Sequence, residues 1–214
     1  MRPYSLVIFD LDGTLADSFP WFLKVVNEIA REFDFRPVAA GDVAGLRRAG
    51  AREILKRLEV PLWKVPRIAK RMRAMKREHL DAIPLFPGVP EMLESLRSSG
   101  IRIALVSSDS ESNARLQLGD SAICFSDFAC GASLFGKAAK FKRTVARAGI
   151  TPSEAIAIGD EMRDFDAASG VGIAFGGVAW GYADPEALRA RHPQAWFDAV
   201  TDITRILTAR ETGR

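Results

Sequence analysis

The chain holds little sulfur and less imidazole. It has two cysteines, Cys124 and Cys130, and two histidines, His79 and His192, in 214 residues. Two cysteines six apart, with no histidine nearby, supply neither a disulfide framework nor the ligand spacing of a zinc site. They read as small buried side chains in a reducing compartment. The two histidines have no nucleophile partnered with them and read as surface residues. No run approaches the roughly 18 apolar residues of a membrane helix, and no repeat or low-complexity segment interrupts the chain. The apolar stretch after Arg2 is broken at Asp10, too early for the core of a secretory signal. A cytoplasmic protein is therefore expected.

What remains is ordinary globular material, 48% apolar and 27% charged, with a net charge of +3. That small net value hides an asymmetry. Residues 16–86 carry fifteen Lys/Arg against nine Asp/Glu, and the remainder carries fifteen against eighteen. Much of the excess sits in Lys64, Arg67, Lys70, Arg71, Arg73, Lys76 and Arg77. For most of these a solvated helix face is expected. The segment lacks the aromatic array of a nucleic-acid reader, so no nucleic-acid partner is assigned. Some of its charge is free to face an acidic site and attract an anion.

The pattern from residue 88 alternates helix and strand. Val89, Met92, Leu93 and Leu96 follow helical spacing up to Gly100, and Ile101–Val106 is an apolar strand. A weak strand near Phe128–Cys130 follows, then a helix over about 138–148, a buried strand at Ala155–Ile158 and another at Gly172–Phe175. With Leu6–Phe9 joining them, these elements predict an α/β fold with a doubly wound parallel sheet. Residues 16–85 then form an inserted helical cap on a core made of 1–15 and 86–214. In the insert, Trp21, Phe22, Val25, Val26, Ile29, Ala30 and Phe33 form one apolar helical stripe. Ile54, Leu55 and Leu58 mark a second helix. A third has Ile68, Met72 and Met75 inward and its basic residues outward. Pro84-Leu85-Phe86-Pro87 makes a stiff return to the core.

The most informative stretch is Asp10-Leu11-Asp12-Gly13-Thr14, directly after the apolar run Leu6–Phe9. A strand ending in two aspartates delivers carboxylates to the sheet edge where open α/β folds bind ligands. The i, i+2 spacing turns both to one side of the extended chain, and Gly13 permits a sharp turn away. A calcium loop would need Gly at its sixth position and Glu at its twelfth; here Thr14 is the fifth residue and Trp21 the twelfth. An ordinary polar strand end, or a helix N-cap at Asp17-Ser18 before Pro20, is the plainer alternative.

Three further elements share the order of a known family. They are the strand ending at Ser107-Ser108, Lys137 just before a helix, and Ala155–Gly159 leading to Asp160 and then Asp164. Together with the first stretch they resemble the haloacid dehalogenase-like phosphohydrolases, specifically the phosphoglycolate-phosphatase-like branch, over nearly the whole length. The resemblance implies a Mg²⁺-dependent phosphatase acting on a small phosphorylated metabolite, with 2-phosphoglycolate the leading substrate. It implies that Asp10 attacks phosphorus and that Asp12 works as acid and base. By the same resemblance, Asp10, the Asp12 backbone carbonyl and Asp160 hold the metal, with Asp164 orienting that site from behind. Ser107, Ser108 and Lys137 would hold the phosphate.

Lys140, one turn later, rivals Lys137, because the family's commoner Lys-Pro pair is absent. Between cap helices, where this branch places a substrate-reading loop, Arg47, Arg48 or Arg52 stands to grip a carboxylate, Arg47 foremost. An ion pair with Glu53 or Asp42 is an equal alternative. Trp180-Gly181-Tyr182 is similar to a loop of phosphoglycolate phosphatases. A sugar-phosphate mutase shares the four elements, and a phosphonate hydrolase would need Lys24 as a Schiff base. A protein that binds a phospholigand without turnover is the alternative from another class.

Overall fold

The computed structural model describes residues 4–131 and 136–209. Its elements run β1 (Leu6–Phe9), α1 (Phe19–Phe33), α2 (Val43–Arg47), α3 (Ala51–Arg57), α4 (Val65–Glu78), α5 (Val89–Ser98), β2 (Arg102–Val106) and α6 (Glu111–Leu118). They continue with β3 (Asp127–Ala129), α7 (Lys137–Ala148), β4 (Ala155–Gly159), α8 (Met162–Ser169), β5 (Ala174–Val178), α9 (Pro185–Arg189), β6 (Ala195–Phe197) and α10 (Val200–Thr208). Six parallel strands form one sheet in the order β3-β2-β1-β4-β5-β6. This is an α/β doubly wound fold, with the strand order reversing between β1 and β4.

β1 is buried on both faces, which is why it reads as a continuous apolar run instead of an alternating one. Val7 and Phe9 pack into the layer that includes Met92, Leu93, Ile203 and Leu207, while Leu6 and Ile8 pack into the opposite layer with Phe141, Val145 and Phe175. Leu6 pairs with Arg102 on one side and Ala155 on the other, and Phe9 with Leu105 and Ile158. The register therefore brings Asp10, Ser107 and Asp160, each the first residue beyond its strand, to the same edge.

The additional helices leave and rejoin the core side by side. Ala16 bridges Leu85 in antiparallel fashion, the Asp17 N–H donates to the Pro84 carbonyl, and the Phe86 N–H donates to the Leu15 carbonyl. Helix α1 buries Trp21, Val25, Val26, Ile29 and Ala30, the stripe its spacing predicts. Ser18 occupies its N-cap position with Pro20 in the first turn, but the Ser18 hydroxyl does not cap the helix; it meets the Tyr182 hydroxyl at 3.0 Å. The fifth strand begins two residues later than its apolar run suggests, because Gly172 sits at φ +74° in the turn before it. Its Gly176 and Gly177 leave room for the rings of Phe197 and Trp196 on β6. That glycine pair hides the end of β5, and three residues are too few to announce β6.

Candidate active site

Gly13, at φ +79°, turns the chain so closely past Asp160 and Tyr182 that a side chain there would collide with both. Thr14 follows and donates its hydroxyl to Asp160 Oδ1 at 2.8 Å. The Tyr182 N–H donates to the other oxygen at 2.7 Å. Gly181 lies directly against the Asp160 side chain, again with no space for a Cβ. Asp160 is thus buried and held at both oxygens by groups from two distant loops. Trp180 fastens the second loop by donating from Nε1 to the Thr14 carbonyl at 3.1 Å.

Lys137, at the start of α7, reaches into the same edge. Its ammonium lies 2.6 Å from Asp10 Oδ2 and 2.5 Å from Asp164 Oδ1, with all three side chains buried. Carboxylate oxygens of Asp10, Asp160 and Asp164 lie within 4.8 Å of one another. Asp164 also receives the Glu161 N–H at 3.4 Å at the start of α8. Lys140 points elsewhere and donates to the Cys130 carbonyl. Between the two lysines, the geometry brings Lys137 to the aspartates.

Burial pushes Asp10 up to about 6; the Lys137 charge pulls against that rise and the Asp164 charge adds to it. Asp160 is raised well above the usual carboxylate range, first by burial and then by the charges of Glu161, Asp10 and Asp164. Lys137 is raised despite its burial, because Asp10 and Asp164 outweigh the desolvation. Lys137 pairs with Asp10 and Asp164, and the nearby Arg163 with Glu161 at 2.5 Å, so among the described residues the three buried carboxylates outnumber the cations paired with them. Among the described residues, Asp10 Oδ2 receives no hydrogen bond beyond its ion-pair contact. An all-oxygen, excess-negative pocket of this kind fits a hard divalent cation.

A second ion cluster joins the additional helices to the core. Lys76 on α4 places its ammonium 2.6 Å from Asp12 Oδ1 and 2.8 Å from Asp109 Oδ2. Burial works to raise Asp12, but the Lys76 charge and hydrogen bond, with a hydrogen bond from Ser18, leave it below its ordinary range. Lys76 is 4% exposed, so it stands apart from the outward-facing basic face expected for this helix and is one of the charges that face the acidic groups. It follows the buried Met75 and lies one turn after Met72, so it belongs to the apolar face. Its neighbour Arg73 donates to the Ser108 carbonyl at 3.1 Å.

Ser107 is fully buried beside these groups, and its hydroxyl accepts the Asp109 N–H at 3.0 Å. Ser108 is half-buried. The Arg47 guanidinium donates to the carbonyls of Tyr182 at 2.9 Å, Gly181 at 3.0 Å and Ala183 at 3.3 Å. Arg48 pairs with Asp184 and Glu186. The proposed partners Glu53 and Asp42 are taken by Arg57 and Arg36. Arg52 is exposed. His79 and His192 are exposed, and both cysteines are free thiols. A cavity of about 270 Å³ opens beside Glu161, Arg163 and Tyr182, walled by apolar residues such as Phe19, Leu46 and Ile54. Among the described residues, no helix is long and apolar enough to cross a membrane.

A doubly wound parallel sheet with buried acids and a lysine at its carboxyl edge, covered by additional helices, defines an enzyme of the phosphohydrolase-like α/β class. The chain belongs to the haloacid dehalogenase-like hydrolases, whose family profile matches residues 7–178. It is 34% identical to the phosphoglycolate phosphatase of Synechococcus elongatus over 204 residues, covering 94% of this chain and 96% of that protein. To the phosphoglycolate phosphatase of Agrobacterium fabrum it is 30% identical, covering 86% of this chain and 84% of the other. A haloacid dehalogenase-like family hydrolase from Streptococcus pneumoniae shares the fold, with a TM-score of 0.76 at 20% identity, covering 96% of this chain and 99% of that one.

Proposed function

We propose that the protein is a Mg²⁺-dependent phosphatase that hydrolyses a small phosphomonoester, with 2-phosphoglycolate its best candidate substrate. The observation that carries this reading is the meeting of Asp10, Asp160, Asp164 and Lys137 in one buried cluster at the sheet edge. The substrate choice rests on the names of its relatives.

In this reading Asp10 attacks phosphorus, forming an Asp10–phosphorus bond as the bond to the leaving oxygen breaks. Asp12 gives its proton to that oxygen. Water then attacks phosphorus, Asp12 takes the proton back, and Asp10 is released. Lys76 holds Asp12 below the ordinary carboxylate range, so Asp12 must take up a proton from solvent before it can give one in the first step, and its ionised form is the base that the second step uses. Ser107, the Ser108 N–H and Lys137 hold the phosphoryl oxygens, and Lys137 also fixes the nucleophile. The Asp10 carboxylate, the Asp12 carbonyl and Asp160 would hold Mg²⁺, with Asp164 keeping Lys137 and the α8 start in place. Mg²⁺ supplies positive charge that offsets the dianionic phosphate beside these carboxylates. The cap spans residues 16–85.

The test is a panel of phosphorylated metabolites assayed with and without Mg²⁺. Mg²⁺-dependent phosphate release, greatest for 2-phosphoglycolate, is the expected result. Sugar bisphosphate accumulation would reassign the protein as a mutase. Tight phospholigand binding without turnover on any member would make it a binding protein.

A further inference from the structure

Arg47 ends α2, far from the sheet edge in sequence, yet its guanidinium hydrogen-bonds the loop that holds Asp160. Its guanidinium donates to three consecutive carbonyls, those of Gly181, Tyr182 and Ala183, at 3.0, 2.9 and 3.3 Å. Its own carbonyl accepts the Asp184 N–H at 2.8 Å. The guanidinium carbon also lies 5.2 Å from the Phe19 ring centroid. A planar five-donor group is the side chain best suited to gather adjacent carbonyls in this way.

The same loop reaches Asp160 from its other side. The Tyr182 N–H donates to Asp160 Oδ2 at 2.7 Å, and Gly181 packs directly on the Asp160 side chain. The Tyr182 hydroxyl meets the Ser18 hydroxyl at 3.0 Å. One loop thus has carbonyls facing Arg47 and an N–H facing Asp160.

We propose that Arg47 is a positioning residue that clasps the 181–183 loop, so that docking of α2 on the core sets the orientation of Asp160 and with it the affinity for the divalent cation. The inference rests on the metal-site reading above. It makes Arg47 a link between cap and metal site instead of a reader of substrate. Groups that orient a ligand from outside the coordination shell change metal affinity by roughly ten- to a hundredfold when removed.

Calorimetric titration of the substrate-free protein with Mg²⁺ tests this. Arg47→Ala should weaken Mg²⁺ binding by about tenfold or more, and Arg47→Lys, which keeps the charge but satisfies fewer carbonyls, should fall between. Arg48→Ala, whose partners are Asp184 and Glu186, should bind as the wild type does. Circular dichroism melts identify any variant that fails to fold, and Arg47→Lys then carries the test. Unchanged Mg²⁺ affinity in folded Arg47 variants would overturn the clasp alone, whereas a wild type that binds no Mg²⁺ would overturn the metal-site reading with it. Loss of turnover confined to 2-phosphoglycolate, with an aryl phosphate spared, would return Arg47 to substrate recognition and overturn the clasp too.

Discussion

The ammonium of Lys76 lies 2.6 Å from the carboxylate of Asp12, joining a helix of the insert to the first residues after β1. Asp109, on the loop after β2, takes the same ammonium at 2.8 Å. With Lys76 5% and Asp109 2% exposed at their side chains and Asp12 25%, this ion cluster between two parts of the molecule is buried at Lys76 and Asp109. Removing its one cation leaves two carboxylates facing each other.

Lys76→Met is accordingly expected to lower stability by roughly 3–5 kcal/mol, the cost of stranding a buried partner. Urea unfolding measures it. Adding Asp109→Asn to Lys76→Met should recover part of the loss, because one stranded charge is then neutral. A single variant as stable as the wild type would show that the cluster contributes nothing to cap docking.

Gly181 offers a test of the space around Asp160. A Cβ at this position would overlap the Asp160 side chain, so Gly181→Ala should displace the carboxylate and reduce turnover by at least tenfold, about 1.4 kcal/mol in transition-state terms. Gly41→Ala, at a position open to solvent, should change neither activity nor stability beyond about 0.5 kcal/mol. Equal behaviour of the two variants would mean that Asp160 is not held as described.

The raised Asp10 and Asp160 give the metal-free protein a definite pH response. A buried acid whose folded pKa exceeds its unfolded value binds more protons when folded, so its contribution to stability is present below the unfolded pKa and is lost as pH rises through the folded one. For Asp10 that window runs from about 4 to about 6. A cation that offsets the ionised cluster should therefore stabilise more above this window than below it. The Mg²⁺-induced rise in Tm is expected to be larger at pH 7.5 than at pH 5. An equal rise at both would show that Mg²⁺ does not bind to these carboxylates.

Much of this architecture was legible in the residues themselves, for an identifiable reason. β1, β2 and β4 lie in the middle of a parallel sheet, are covered on both faces, and so are written as unbroken apolar runs. Aspartate or serine directly after such a run marks a ligand-binding edge. Lys137 and Asp164 could be set near it only through a family resemblance, since the ion pair between them spans 27 positions.

Lys76 and Arg47 were harder to read because a cation on a short or basic helix is usually solvated. Lys76 betrays itself only by its register with Met72 and Met75. Nothing local reveals that Arg47 faces backbone carbonyls 134 to 136 positions away. Those acceptors carry no side-chain signature, and only the folded chain brings them together. The Trp180-Gly181-Tyr182 loop is the same case seen from the other side: its working groups toward Asp160 and Arg47 are a main-chain N–H and main-chain carbonyls.

The central claim is that Asp10 is the nucleophile, and phosphoryl trapping tests it most directly. Wild-type protein mixed with a phosphate-labelled monoester and Mg²⁺, then acid-quenched within the first turnover, should carry label on the peptide that contains Asp10. Asp10→Asn should carry none and show no turnover while retaining the wild-type circular dichroism spectrum. Label on any other residue, or an Asp10→Asn variant that still turns over, would contradict the account.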